Sequence, residues 1–164
     1  MALTGYVSGQ IIQTVPTRGR MKVDRFTADG TWTVPAGVTY AVAHIRAGGG
    51  GVGTASSGAG GNSSVAFASG TVSATGGAAC SANTGVPNPV AQAGAANSGW
   101  GARGGVYRET VGSYNWHGGD GAYIVSGADV TPAASITITV GAGGTAGTSG
   151  AAGGSGYVWI EYLA

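Results

Sequence analysis

Residues 26–51 read FTADGTWTVPAGVTYAVAHIRAGGGG, and this stretch decides the fold. Residues 30–34 and 38–47 both alternate at the period of a β-strand, and Pro35 begins the turn between them. In the second run, small apolar residues at alternate positions suit close packing against another layer. Residues 157–162 (YVWIEY), at the far end of the chain, are a further strand candidate. We expect these strands, with a further strand near Thr137, to form a β framework.

The composition indicates a folded chain with a thin core. Of the 164 residues, 35 are glycine and five are proline, and the formal net charge is only +1. Disorder normally accompanies high net charge, so the sequence predicts long ordered loops instead. Ordering glycine costs more backbone entropy than ordering other residues, and few large side chains offset that cost. Because oligomerisation commonly compensates for an insufficient core, we expect a homo-oligomer.

Several classes of protein are disfavoured by what the chain lacks. The single cysteine, Cys80, excludes an intrachain disulfide framework and a multi-cysteine zinc site, and its small neighbours predict a buried thiol. No apolar run approaches the ~20 residues needed to span a membrane. The first residues do not have the pattern of a secretory signal.

Residues 1–25 differ from the rest and are predicted to form a separate N-terminal arm. Residues 9–15 (GQIIQTV) are a strand candidate, and the next residues carry four of the seven basic side chains: Arg18, Arg20, Lys22 and Arg25. At strand period, the first three share a face with Asp24. One interpretation is a docking arm for a larger assembly. The other is an edge strand protected from aggregation by charge. Nucleic-acid binding would need more basic residues.

The remainder of the chain is predicted to be all-β, because no segment has a capped helical period. Beyond the two runs above, strands are expected at residues 64–68, 71–75, 123–126, 135–140 and 157–162. Residues 48–61 and 141–156 are expected to be glycine-rich loops, and residues 76–99 have no assignable regular structure. The expected architecture is a small β-sandwich, jelly-roll-like, with long glycine-rich loops.

The most aromatic stretch is residues 100–120, WGARGGVYRETVGSYNWHGGD. Rings with arginine and asparagine make good contact surfaces at little entropic cost. The candidate recognition residues are Trp100, Arg103, Tyr107, Arg108, Tyr114, Asn115, Trp116 and His117. The alternative is that these rings supply a core to a loop that otherwise has none.

Motifs for catalysis or cofactor binding fail on their context. Residues 141–146 (GAGGTA) fit a relaxed dinucleotide fingerprint, but the residues that follow are too rich in glycine to form the helix that must bind the pyrophosphate. The two histidines, His44 and His117, have no set of partners at metal-ligand or triad spacing, and there is no nucleophile elbow. We therefore expect no enzyme activity, no metal and no cofactor, and His44 is interpreted as a strand-face histidine.

Four segments together resemble a known family. FTADGTWTVPAGVT followed by AGGGGVG, SSVAFASGTVSATGG, GDGAYIVSGADVTPAASITITVGAGGTAG and GGSGYVWIEYLA are similar to the glycine-rich domain of bacteriophage tail-fibre and tail-tip proteins. The resemblance covers residues 26–164 as one glycine-rich β domain. The aromatic stretch at residues 100–120 does not match the family pattern.

The resemblance implies a homotrimeric virion protein, made in the host cytoplasm and placed at the end of a tail fibre or tail tip. Residues 1–25 would attach it to other virion proteins. The aromatic stretch and the glycine loops would bind a host surface glycan or outer-membrane protein. A purely structural virion component, such as a capsid decoration or collar protein, is the main alternative. An ice-binding or cell-wall protein would need regular arrays of threonine or glycine, and the glycine spacing in this sequence is irregular.

Overall fold

The computed structural model describes residues 5–7, 10–12, 19–53, 56–81, 93–100, 103–109, 112–148 and 150–164. These residues form strands and turns without a helix, so the all-β prediction is confirmed for them. The strands are β1 (Gly5–Val7), β2 (Gln10–Ile12), β3 (Met21–Phe26), β4 (Gly30–Thr33), β5 (Tyr40–Arg46), β6 (Val52–Gly53), β7 (Ser63–Phe67), β8 (Gly70–Ala74), β9 (Cys80–Ser81), β10 (Arg103–Glu109), β11 (Gly112–His117), β12 (Tyr123–Asp129), β13 (Ser135–Thr139) and β14 (Tyr157–Leu163).

Two antiparallel sheets of four strands each form the framework. The first sheet has the order β12-β5-β14-β3, and the second has the order β4-β13-β7-β8. The predicted closing strand, β14, lies between β5 and β3, while β4 pairs with the strand predicted near Thr137. Three two-stranded pairs, β1-β2, β10-β11 and the parallel pair β6-β9, complete the strands of the described residues.

Buried side chains from both sheets form one hydrophobic cluster. The alternation read from the sequence is confirmed at β5, where Ala41, Ala43 and Ile45 are fully buried while their neighbours face outward. It is confirmed in the same way by the buried residues Trp32, Val34, Ile136, Ile138, Val158 and Ile160. The buried side chains of β5 are mostly alanine, and β5 contacts β7 and β8 of the second sheet.

Asp24 departs from the predicted solvated face of the N-terminal arm. Its carboxylate accepts hydrogen bonds from the Trp32 indole at 2.8 Å and from the Tyr162 hydroxyl at 3.0 Å. Asp24 is therefore a half-buried acceptor beneath the hydrophobic cluster. It lies on β3, which pairs along β14, so the predicted domain boundary between residues 25 and 26 falls inside a paired strand.

The glycine-rich segments form a hydrogen-bonded array instead of the predicted loops. Residues 47–53 continue from β5 and lie among five other segments, namely 58–61, 75–80, 118–122, 141–147 and 151–156, which together we call the glycine array. The backbone amides of residues 47–52, the central segment, donate in turn to three different neighbouring segments, so every third amide donates to the same segment. The amides of Ala47 and Gly50 donate to the carbonyls of Ala122 and Gly119 in segment 118–122. Those of Gly48 and Gly51 donate to Gly61 and Gly58 in segment 58–61, and those of Gly49 and Val52 donate to Gly154 and Ala151 in segment 151–156.

The central carbonyls accept hydrogen bonds with the same period. Gly77 and Cys80 donate to the carbonyls of Gly48 and Gly51, and Gly144 and Gly147 donate to those of Gly49 and Val52. A repeat of three residues is that of a polyproline-II-type helix, which has no internal hydrogen bonds and must bond to its neighbours. The run of four glycines that ends residues 26–51 thus occupies the centre of the array.

Side chains are excluded where the array segments meet. A Cβ at Gly50 would overlap the backbone of Ala78, and one at Gly153 would overlap the backbone of Gly49. The same holds for Gly48, Gly51, Gly60, Gly76, Gly118, Gly121, Gly141, Gly143 and Gly144. Cys80, predicted to be buried, is only half-buried beside Val52 and Ala151, because the segment that carries it lies on the outside of the array.

Gly50→Ala is expected to lower the free energy of unfolding by about 1–3 kcal/mol, since overpacking strains an otherwise rigid site. The measurement is urea or thermal unfolding. Gly30→Ala is the matched control, because a Cβ at Gly30 would make only ordinary contact with Phe26. Equal stability of the two variants would contradict the array.

Tyr162→Phe is expected to reduce the loss of stability in alkali. Burial makes the largest contribution to raising the pKa of the Tyr162 phenol above its ordinary value. The hydrogen bond to Asp24 and the negative charge of that carboxylate raise the pKa further. The stability that this group contributes is full below pH ~10 and is lost as the pH rises through the folded pKa. The free energy of unfolding, measured from about pH 8 to pH 11, should therefore fall less steeply with pH in the variant. Parallel curves for variant and wild type would refute this role.

Candidate recognition site at the end of the glycine array

The glycine array extends from one end of the first sheet, and its far end is where the chain turns back. Segments 75–80 and 141–147 run parallel to segment 47–53, whereas segments 58–61, 118–122 and 151–156 run antiparallel to it. The chain therefore leaves the array near Gly53, Cys80 and Gly147 at this far end, which we call the distal end. Two glycine-rich segments were predicted to face outward. Most of their described residues lie inside the array, and only those at positions 53, 56–58, 147, 148 and 150 are near its distal end.

One of these distal connections carries nearly all of the candidate recognition residues. Strands β10 and β11 form an antiparallel hairpin, and β10 contacts β6 at the distal end. The backbone register sets Arg103 opposite His117 and Tyr107 opposite Tyr114, with an irregularity after Arg103. Seven of the eight predicted residues belong to this hairpin: Arg103, Tyr107, Arg108, Tyr114, Asn115, Trp116 and His117.

The hairpin was predicted only as a non-periodic loop. Its strand signal lies in residues 106–109 (VYRE) and 113–116 (SYNW), two short runs with aromatic residues and a brief link between them. The glycines at positions 104, 105 and 112 hid that signal, because glycine is rare in strands.

Trp100 is the eighth candidate residue, and its backbone is fixed while its ring is exposed. The carbonyl of Trp100 accepts a hydrogen bond from Gly154 at 2.9 Å, and its amide donates to the Ser98 hydroxyl at 3.0 Å. The side chain is 57% exposed. A ring held in this way is available for contact at little further entropic cost.

Arg46 holds both chain segments that flank the hairpin, a role that the sequence did not reveal. Its Nε donates to the Ser98 carbonyl at 3.2 Å, before the hairpin, and its guanidinium lies 3.8 Å from the Asp120 carboxylate, after it. Arg46 is the last residue of β5. Arg46 thereby links the end of the first sheet to the chain segments on either side of the recognition hairpin.

The predicted attachment residues lie toward the opposite end of the molecule. Arg18 is outside the described residues. Arg20 is exposed and exchanges two backbone hydrogen bonds with Ala164, and Lys22 follows it on the edge strand β3. Arg25, by contrast, is the fifth of the six residues of β3 and lies toward the array end of the strand, where its guanidinium is 5.2 Å from the centre of the Trp159 ring.

His44 lies on β5, as interpreted from the sequence, and makes polar contacts with two other strands. Its Nδ1 is 2.6 Å from the Tyr123 hydroxyl, and its Nε2 is 3.5 Å from the Glu161 carboxylate. Burial, with smaller effects from Tyr157 and Glu161, raises the pKa of Tyr123, while Arg46 opposes them. In the part of the chain that the structure describes, no group of three or more potential metal ligands comes together.

Comparisons with known proteins add no relative. No family model matches the chain, and no curated protein sequence matches it either. Among the described residues there is no helix that could span a membrane.

Arg46→Ala is expected to raise the rate of tryptic cleavage after Arg103 or Arg108 about fivefold, because losing about 1 kcal/mol of anchoring increases local opening by that factor. Digestion of the native protein, followed by mass spectrometry, measures the rate. Arg20→Ala is the control, since Arg20 lies far from the hairpin. Unchanged cleavage in Arg46→Ala would show that this residue does not anchor it.

Proposed function

We propose that this protein is a bacteriophage virion component of the tail fibre or tail tip that binds the host cell surface. The observation that carries the proposal is the position of the β10–β11 hairpin at the distal end of the glycine array. Backbone hydrogen bonds of the array hold segment 118–122, which directly follows the hairpin, so the hairpin and its neighbouring connections can meet a ligand without disturbing the core.

The two ends of the molecule suit two different roles. The aromatic hairpin is at the distal end, whereas Arg20 and Lys22 are at the opposite end of the first sheet. In the proposed function, the basic end faces other virion proteins and the hairpin faces a host glycan or outer-membrane protein. The two four-stranded sheets, which share one hydrophobic cluster, would form a small jelly-roll-like β-sandwich.

The proposed particle carries this chain as a homotrimer, the number that the family resemblance implies. Several copies on one particle increase the overall binding strength even when each hairpin contact is weak, because a second contact forms at high effective concentration once the first is made. The proposed role requires no chemical step, metal or cofactor.

The double variant Tyr114→Ala/Trp116→Ala is expected to lower phage adsorption to host cells at least tenfold while particles still assemble. Aromatic residues at the centre of an interface commonly contribute ~2 kcal/mol or more to binding, and ~1.4 kcal/mol corresponds to a tenfold change. The control is Thr31→Ala/Thr137→Ala, which truncates exposed residues of the second sheet. Adsorption is measured as the fraction of phage removed from the medium by host cells. Normal adsorption with fragile particles would instead support the structural virion role.

A further inference from the structure

The two sheets have very different exposed faces. The second sheet presents hydroxyl groups, as shown by the exposed residues Thr31, Thr33, Ser135 and Thr137. The first sheet presents six large apolar side chains that are 45–64% exposed, namely Met21, Val23, Tyr40, Tyr123, Val125 and Leu163. Because an antiparallel sheet that faces water is normally polar on its wet side, the first sheet has the composition of a face that another surface covers.

This exposed face extends across all four strands, with charged and polar side chains among its apolar ones. The register places Arg25, Trp159, His44 and Val125 in one row, with one residue from each strand. A second row contains Val23, Glu161, Val42 and Gly127, and Leu163 pairs with Met21 at the end away from the glycine array. Four strands of about seven residues span roughly 20 Å by 20 Å. The whole face, polar side chains included, therefore has an area of ~400 Å².

Three of the charged groups on and beside this face already have partners within the same chain. The Arg25 guanidinium lies over the Trp159 ring, Glu161 lies beside His44, and Arg46 lies beside Asp120. Covering a charge that has no partner is costly, whereas a paired charge loses less when water is removed. Intramolecular pairing therefore lowers the cost of covering the face.

The two edges of the face have opposite charge. Along the β3 edge, Arg25 lies on this face, while Arg20 and Lys22 alternate to the other side of the edge strand and are also exposed. The exposed charged residue of β12 is Asp129, which lies on this face. A rotated copy of the same chain would present its Asp129 edge to the basic edge of its neighbour. Contacts of this head-to-tail kind form a ring where the rotation between copies closes, and an open filament where it does not.

We propose that copies of this chain contact one another through this apolar face, with the β3 edge of one copy against the β12 edge of the next. The assignment rests on the proposed homo-oligomer and names the surface that forms it. When the strands lie roughly along the rotation axis, every glycine array points the same way. All recognition hairpins are then at one end of the ring, as multivalent binding to a cell surface requires.

The test is the mass of the full chain by light scattering after gel filtration. Wild type is expected to be an oligomer, and Val125→Asp/Leu163→Asp is expected to be a monomer at concentrations where wild type stays assembled. Both replaced side chains are exposed, so the fold should be retained, which circular dichroism checks. The matched control, Thr31→Asp/Thr137→Asp, adds two charges to the exposed face of the second sheet and should remain an oligomer.

A charge exchange tests the pairing of the edges. Asp129→Lys alone should weaken association at least tenfold, and adding Lys22→Asp should restore part of the loss, because the two edges then again carry opposite charge. An oligomer that survives Val125→Asp/Leu163→Asp would overturn the assigned surface and leave the homo-oligomer standing. A wild-type monomer at the highest soluble concentration would overturn both the assigned surface and the homo-oligomer. A different protein of the particle would then be the candidate to cover the face. Binding of each variant to host cells, measured separately, tests the recognition function independently.

Discussion

The rest of the structure depends on hydrogen bonding by the central glycine segment. Each backbone amide of residues 47–52 donates in turn to one of three neighbouring segments, and four of these residues are also acceptors. Such contacts need backbones so close that a Cβ would overlap a carbonyl on the next segment. Glycine carries a high entropic cost of ordering, and satisfied backbone hydrogen bonds, each contributing about 1 kcal/mol net, offset part of it. The array is thus a second kind of core, built from peptide groups instead of side chains.

This kind of core has consequences for function. Its segments need only small residues, so the connections at the distal end are free to carry large and variable ones. The hairpin is such a connection, and Arg46 ties the segments on either side of it to the end of β5. The folded molecule therefore has three regions that differ in amino-acid composition. The sheets hold the large apolar residues, the array holds the glycines, and the distal end presents an aromatic hairpin.

The sequence predicted the framework well because alternation records which side chains share a face. The alternation predicted for residues 30–34 and 38–47 is confirmed by the buried side chains of Trp32 and Ala43, and nearly every strand of the two sheets was located. Alternation does not say what lies over a face, so the partners of Asp24 and the apolar exposed face of the first sheet were not foreseen. The array was missed for a different reason. Only the crowded positions require glycine, and those positions depend on which segments are neighbours in space, so the spacing of glycines along the chain looks irregular.

Amide hydrogen exchange at Gly48–Gly51 tests the central claim most directly, because an exchange rate reports whether each amide is held in a hydrogen bond. The glycine array predicts that these amides exchange about as slowly as those of Ala41 and Ala43, which lie on β5 within the first sheet. Exchange at the rate of unprotected peptide amides would contradict the array. It would reduce the glycine-rich segments to ordinary loops, and the hairpin would lose its rigid support.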